Sequence, residues 1–394
     1  MKPLASRQSV RKCHVAIFMT RGMSLAAWQE AGIFNREVAL YERLQAAGVG
    51  VTFVTYGGAE DLRFAKRLAG MTICCNHLGL PPRLYERFLF LIHGAALRKA
   101  TVFKTNQTDG ADIALRAAVL LRRPIVARCG YMLSDFAGRQ HGDGSPMHRW
   151  ALKLEQKVFS RAERVVVTTE SMAADIRQRL NIAADKLVVQ PNYVDTAEFC
   201  PEPANREDGR LLFVGRLEAQ KNLSSLLKAL CGLPQHFKLT IIGEGSLRAA
   251  LQNEFPQLQG RVEWLGKVAH TELPDFFRRS SLFVLPSFYE GHPKTLIEAM
   301  SCGCLVVAAD APGIREVIVH GQTGWLAAPN AADIGQAILD VSADRAQGDR
   351  LGRNARLFVQ ENYSLDRTVK REVDILAGVG VCRPGSAPKL GIPQ

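Results

Sequence analysis

A run of apolar residues long enough to cross a membrane is missing from this 394-residue chain. The longest largely apolar stretch, FLFLIHGAAL from Phe88, is about half of the roughly 20 residues a spanning helix needs. A signal peptide is not expected either. The N-terminus MKPLASRQSVRKCH is basic, but CHVAIFM behind it is too short for an apolar signal core with a cleavage site, and it reads as a strand. The nine cysteines contain no C-x-x-C pair; Cys74 and Cys75 are adjacent, and Cys302 and Cys304 flank Gly303. Neither spacing suits a zinc site or a secreted disulfide framework, so the cysteines are expected as small buried hydrophobes in a reducing cytoplasm. No strand-linked G-x-G-x-x-G opens either half of the chain, which argues against a dinucleotide-dependent dehydrogenase. Tandem repeats of short period are absent as well.

Acidic residues are scarce in one half only. The formal net charge is +12, but residues 1–200 hold 28 Lys+Arg against 17 Asp+Glu, whereas residues 201–394 hold 22 against 21. The basic excess belongs to the first half and suggests an anionic partner there: a membrane surface, a phosphorylated lipid or nucleic acid. A merely solvated basic surface is the plain alternative. With 47% hydrophobic residues and this length, two globular domains, each with its own core, are the natural expectation.

Short apolar runs alternate with amphipathic stretches throughout. CHVAIFMT, GVTFVTY, TVFKT, PIVARC and RVVVTT are the strands expected in the first half; RLLFVG, FKLTIIG, RVEWLG, LFVLP and CLVVAA are those of the second. Alternation with helical patterns such as NREVALYERLQAAG predicts βαβ units, and continuous Val/Ile/Leu runs fit parallel sheets covered on both faces. The pattern breaks at PEPANREDG and restarts at RLLFVG. The expected organisation is therefore a basic N-terminal domain over 1–196, a linker at 197–209, a second α/β domain over 210–365, a helix at 366–380 packing back on the first domain, and a disordered tail at 381–394. Open α/β sheets bind ligands beyond the C-terminal ends of their strands, so two such sheets facing each other predict a site in the cleft between them.

Three exit loops in the second half carry the chemistry. After RLLFVG comes GRLEAQKN: Gly215 permits a tight turn, Arg216 and Lys221 follow the strand end, and Asn222 can cap the next helix. Two cations there suit a diphosphate, because charge-assisted hydrogen bonds contribute about 1.5–3 kcal/mol each. After FKLTIIG, Gly243 and Gly245 bracket Glu244 in a G-x-G turn that lets a ligand approach the backbone. After LFVLP comes SFYEGHP, with Pro293 suited to the first position of a helix whose N-terminus is an anion site. Glu290 in that loop can reach ligand hydroxyls, and Glu298 on the helix can accept from the two hydroxyls of a ribose. Phosphate on the helix end, ribose on one acid and a sugar on the other together describe a nucleotide sugar.

The stretches GRLEAQKN, GEG, PSFYEGHPKTLIEAMSCG and APGIREVIVHGQTGWL, in that order, resemble the successive motifs of the family-4 (group 1) retaining glycosyltransferases, and PNYVDTAEF resembles their interdomain segment. The resemblance is close over about residues 190–330 and loose before it. It implies the GT-B fold, two Rossmann-like βαβ domains facing across a cleft, with the first on the acceptor side and the second binding the donor. It also implies that Arg216 and Lys221 hold the donor diphosphate and Glu298 the ribose. Glu290 would bind donor-sugar hydroxyls near the anomeric carbon, and Gly291, His292, Pro293, Lys294, Thr295 and Leu296 would surround sugar and phosphate, with Gly243 also on the donor. It implies no metal and no cofactor beyond the nucleoside diphosphate sugar itself. In the first half the pattern departs: Gly22, between Arg21 and Met23, stands where many members carry Gly-Gly, and Cys129-Gly130 stands where relatives often carry His-Gly. Arg21, Arg128, Tyr131 and Ser134 are then the candidates for the acceptor side, while His93, His141 and His148 are expected as structural or surface residues.

These readings converge on a retaining, metal-independent hexosyl- or glycosyltransferase. Its acceptor would be a glycan or glycolipid in polysaccharide or lipopolysaccharide synthesis. It would be cytoplasmic, peripheral on the inner membrane face, with no nucleic-acid partner; domain closure would exclude water. A non-catalytic nucleotide-sugar-binding scaffold and a nucleotide-sugar epimerase are the alternatives. In PPRLYERFLFLIHGAALRK, the apolar block Phe88–Ile92 is expected mostly in the core, with Arg83, Arg87, Arg98 and Lys99 facing lipid.

Overall fold

The computed structural model describes residues 13–202 and 206–379; the expected tail at 381–394 lies outside them. Two compact units divide the described residues: one comprises 13–190 with 369–379, the other the described residues between 191 and 368.

The first unit is built on β1 (His14–Phe18), β2 (Gly50–Val54), β3 (Thr72–Cys74), β4 (Val102–Thr105), β5 (Ile125–Cys129), β6 (Arg164–Val167) and β7 (Leu187–Val189). The second contains β8 (Glu207–Val214), β9 (Lys238–Ile242), β10 (Val262–Gly266), β11 (Ser280–Leu285), β12 (Leu305–Ala309) and β13 (Trp325–Ala327). The first sheet has the order β3-β2-β1-β4-β5-β6-β7 and the second β10-β9-β8-β11-β12-β13, with every pairing parallel. Each sheet starts in the middle, runs to one edge, then crosses over to build the other side. The order therefore reverses between β1 and β4 and between β8 and β11, and such switch points open a crevice beyond the strand ends.

Every strand expected from the sequence forms. The strands not anticipated, β3, β7 and β13, have three residues each and all lie at sheet edges. The central strands are buried on both faces. In β8, Leu211, Leu212 and Phe213 are fully buried, each contributing roughly 1.5–3 kcal/mol through removal from water.

The division between units falls after Gln190, earlier than the expected boundary at 196, and β8 begins at Glu207, inside the segment expected as a linker. PNYVDTAEF is part of the second unit: the Val194 N–H donates to Tyr363 O, and Arg356 donates to the carbonyls of Thr196 and Phe199. The last helix, Leu365–Gly378, starts in the second unit, and from Val369 its residues belong to the first. There the buried Glu372 pairs with the equally buried Lys104 of β4 and accepts from Gln190 Nε2 at 3.0 Å. Burial pulls the Lys104 ammonium below its ordinary pKa and the carboxylate opposes that pull.

Helix Pro82–Leu97 corrects one expectation. Of the block Phe88–Ile92 only Leu89 is buried; Phe90 and Ile92 are partly covered, and Phe88 and Leu91 are exposed, Leu91 to 81%. The helix buries a narrow stripe, Tyr85, Leu89 and Leu97, and leaves Leu84, Phe88 and Leu91 on the opposite side beside Arg83, Arg87, Arg98 and Lys99, all exposed. The residues at i, i+4 and i+7 meant for a core instead form a second, outward apolar stripe.

Candidate functional site

Four loops leave the C-terminal ends of neighbouring strands β9, β8, β11 and β12, and backbone contacts lace them side by side. Gly215 N–H donates to Ile242 O at 3.0 Å and Leu217 N–H to Glu244 O at 2.9 Å. Phe288 N–H donates to Gln220 O at 3.0 Å, and Gln220 Nε2 to Tyr289 O at 2.8 Å. Glu290 N–H donates to Pro312 O at 2.9 Å. The glycines of the G-x-G turn are required by the packing of the neighbouring loop. Gly243 has φ of +133°, and a Cβ there would lie 2.0 Å from Gly215 O; one at Gly245 would lie 2.4 Å from Leu217 O. The glycines admit the neighbouring loop.

This lacing brings two sequence-distant candidates into contact across the β8/β11 switch point. Lys221 Nζ lies 2.6 Å from Glu290 Oε1, with side-chain exposures of 13% and 9%. The cation assigned to a diphosphate is thus held by the acid assigned to a sugar. Arg216 is exposed on the same loop. Asn222 does not cap its helix by its side chain. It takes the left-handed conformation at φ of +50°, and its amide donates to the carbonyls of Pro286 and Pro329, both at 3.0 Å, which ties the β8 and β11 loops together from behind.

Pro293 sits one position earlier than expected, at the N-cap of helix Lys294–Ser301. Thr295 and Leu296 follow Lys294 in its first turn, and Leu296 is buried. Gly291 adjoins Gly313, whose Cβ would strike the carbonyls of Glu290 and Gly291 at 2.2 and 2.6 Å. His292 is buried, its ring 4.9 Å edge-on to Tyr363 and its carbonyl accepting from Asn192 Nδ2 at 2.7 Å, so it is a strut of the loop. Glu298 is 1% exposed and accepts at Oε1 from His270 Nε2 at 2.9 Å, an interaction the sequence reading missed.

The first unit repeats the device at its own switch point. Arg21, after β1, pairs with Asp109 at 3.3 Å and Asp112 at 2.7 Å, both after β4, and with Glu86. Burial opposes its charge, but Asp112 and Glu86 outweigh that and hold its pKa above the ordinary value. Gly22 beside it is exposed with φ of +76°. With three carboxylates around it, Arg21 is no open anion site. Arg128 is half-buried on β5, its N–H donating to Thr105 Oγ1 at 3.0 Å, and Tyr131 is 42% exposed with its ring 6.2 Å from Phe136. Ser134 is a correction: it is fully buried, its N–H donating to Glu155 Oε1 at 3.0 Å and its hydroxyl accepting from Arg179 at 3.3 Å. It opens helix Leu133–His141, whose first turn is closed by the buried Glu155 of helix Pro146–Arg161, so it lines no open surface. Cys129, where relatives often carry histidine, is buried with its thiol pushed up to about 12, which leaves it no thiolate nucleophile. His93 meets Cys75 O at 3.0 Å, and His148 accepts from the Gly144 N–H at 2.8 Å. Both serve the backbone; His141 is exposed. Among the described residues no group of His, Cys, Asp and Glu could hold a metal ion.

Two family models match nearly end to end: "Glycosyltransferase Family 4" over residues 32–198 and "Glycosyl transferases group 1" over residues 195–358. A D-inositol 3-phosphate glycosyltransferase from Pseudarthrobacter chlorophenolicus is 32% identical over 232 residues, 53% of this chain and 54% of that protein. A lipopolysaccharide core biosynthesis mannosyltransferase from Rhizobium leguminosarum is 28% identical over 76% of this chain and 85% of its own length. The chain spans about half to two thirds of the length of the first curated relatives it matches. Among solved structures, Anabaena HepE in complex with UDP-glucose superposes with a TM-score of 0.73 at 18% identity, covering 93% of this chain and 99% of HepE. That likeness carries the fold, which is GT-B.

Proposed function

The chain belongs to the group 1, family 4 glycosyltransferases, and we propose that it is a retaining, metal-independent member that moves a sugar from a nucleoside diphosphate sugar to an acceptor hydroxyl on a glycan or glycolipid. The observation that carries this reading is the Lys221–Glu290 contact at the β8/β11 switch point, with Arg216 exposed on the same loop. A cation for the phosphates and an acid for the sugar meet there, and helix Lys294–Ser301 begins four residues after the acid.

In the reaction the bond from the anomeric carbon to the diphosphate oxygen breaks, and one from that carbon to the acceptor oxygen forms. The acceptor proton passes to the departing phosphate. Charge develops on the diphosphate as it leaves, and Arg216, Lys221 and the helix N-terminus would stabilise it. Glu290, on the sugar side, hydrogen-bonds donor hydroxyls and steadies the oxocarbenium-like centre. Attack from the face of the departing phosphate retains configuration without a protein nucleophile, which is consistent with the buried, protonated thiol of Cys129.

Turnover of labelled nucleotide sugars, screened with and without excess chelator, tests the reading. Transfer or slow hydrolysis of one donor at the same rate in chelator is expected. Activity lost in chelator and restored by magnesium or manganese would overturn metal independence. Donor binding without any turnover would instead favour a non-catalytic nucleotide-sugar-binding protein.

The acceptor is taken to lie at an anionic membrane face. Its support is the outward stripe Leu84, Phe88 and Leu91 of helix Pro82–Leu97, flanked by Arg83, Arg87, Arg98 and Lys99, together with the basic excess of the first half. No helix among the described residues is long and apolar enough to cross a membrane, so any attachment through this face would be peripheral. Basic residues near a charged leaflet contribute about 1 kcal/mol each, and salt screens them over a Debye length of roughly 8–10 Å. Cosedimentation should show binding to anionic but not neutral vesicles, weakened by salt and lost when all four cations become Gln, with nucleotide binding unchanged. Equal pelleting with both lipids would return the basic excess to surface solvation.

A further inference from the structure

The side chain of Glu298 is buried. It lies on helix Lys294–Ser301, 1% exposed, and His270 approaches it from the turn His270–Glu272 that precedes the next helix, Leu273–Arg279. The two meet at 2.9 Å between Nε2 and Oε1. The carboxylate can only accept, so the bond requires the proton on Nε2. His270 is itself 7% exposed, and its Nδ1 is buried with no hydrogen-bond partner among the described residues. The ring is fixed from the other side by Phe199, with centroids 5.0 Å apart and planes tilted by 50°, and Phe199 packs in turn on Phe277 at 6.2 Å. Glu198 also faces this group: burial raises its pKa, with Glu298 and Asp195 acting in the same direction and His270 against them.

A buried acid on one helix is thus oriented by a ring from a different element, and that ring is held in place by apolar packing. Nothing in the proposed catalysis uses His270, yet among the described residues its side chain hydrogen-bonds to the acid assigned to the ribose. We propose that His270 is a positioning residue for nucleotide recognition: by engaging one oxygen of Glu298, it sets the carboxylate's orientation and makes the site select a ribose over a deoxyribose. This rests on the donor-site reading of Glu298. The ring's N–H keeps the carboxylate in one rotamer, so a ribose diol meets a preorganised acceptor and does not have to order one.

Calorimetry on the full chain tests this, with UDP, ADP and GDP as probes and then the 2′-deoxy counterpart of whichever binds best. Wild type should prefer the ribonucleotide by about tenfold or more, the size of one hydrogen bond to a charged group. His270→Ala should lose most of that preference while its affinity for the deoxynucleotide stays within about twofold, since the phosphate contacts remain. His270→Gln, which can restore an N–H donor toward Glu298, should recover part of the preference. Glu298→Gln should abolish it. A His270→Ala protein that keeps the full ribose preference, while Glu298→Gln loses it, overturns the role of His270 and leaves the ribose acid standing. If Glu298→Gln also keeps the preference, the ribose reading itself fails. Thermal melts accompany each variant. If His270→Ala does not fold, His270→Gln decides: a ribose preference equal to that of Glu298→Gln, in a folded protein, refutes the proposal, and an intermediate or full preference supports it.

Discussion

Glu290→Gln is expected to lower turnover by about 10²- to 10³-fold, the range seen when one preorganised transition-state contact is removed, while nucleoside diphosphate affinity holds or rises. The second half of that expectation comes from the ion pair. In the structure Glu290 holds Lys221 at 2.6 Å with both side chains largely covered, so a diphosphate must share or win the ammonium. The neutral amide keeps the shape and relaxes that competition, because the charge that drew Lys221 away is gone. The loop itself should not collapse. It is tied by Gln220 to the Tyr289 carbonyl and by the Glu290 N–H to Pro312, neither of which involves the carboxylate. Rate constants at saturating donor, set beside calorimetric affinities for the diphosphate, check both halves. A parallel fall in affinity and turnover would move Glu290 from the sugar to the nucleotide.

Lys221→Ala should weaken nucleoside diphosphate binding by roughly 10- to 100-fold, from the loss of one charge-assisted contact of about 1.5–3 kcal/mol. It should also destabilise the fold, because Glu290, only 9% exposed, keeps its charge without its cation. These effects are separable. Adding Glu290→Gln to Lys221→Ala should recover melting temperature, since no charge is then left unpaired, but should not recover diphosphate affinity. If the double variant binds as tightly as wild type, Lys221 is a loop strut and not a phosphate ligand. Arg216→Ala should cost affinity with no loss of stability, because Arg216 is exposed.

The loops proposed to bind the donor were legible in the sequence for a local reason. A parallel strand must end, turn and start a helix within a few residues, so its charged and glycine residues are concentrated into short contiguous stretches such as GRLEAQKN and SFYEGHPK. The first half offered less. Its polar groups are contributed one at a time by separate elements: Arg21 after β1, Glu86 from helix Pro82–Leu97, and Asp109 and Asp112 after β4. No local spacing announces a cluster assembled from positions up to 91 residues apart. Ser134 was misplaced for a related reason: whether a helix-opening serine faces a ligand or a neighbouring acid depends on where Glu155 lands.

By itself the sequence determined the α/β alternation, the long central strands and the residue types at the strand exits, because period, apolar runs and turn chemistry are properties of contiguous residues. Edge strands of three residues are too short to leave such a pattern, and so β3, β7 and β13 appeared only when their neighbours were in place. Tertiary structure decided three further matters. It set the order β10-β9-β8-β11-β12-β13, which alone puts Lys221 against Glu290 although 69 residues separate them. It turned Phe88 and Leu91 outward, because Tyr85, Leu89 and Leu97 already filled the stripe facing the core. And it placed His270 on Glu298, a contact that neither residue's own surroundings in sequence could foretell, since a hydrogen bond between elements depends on how those elements pack.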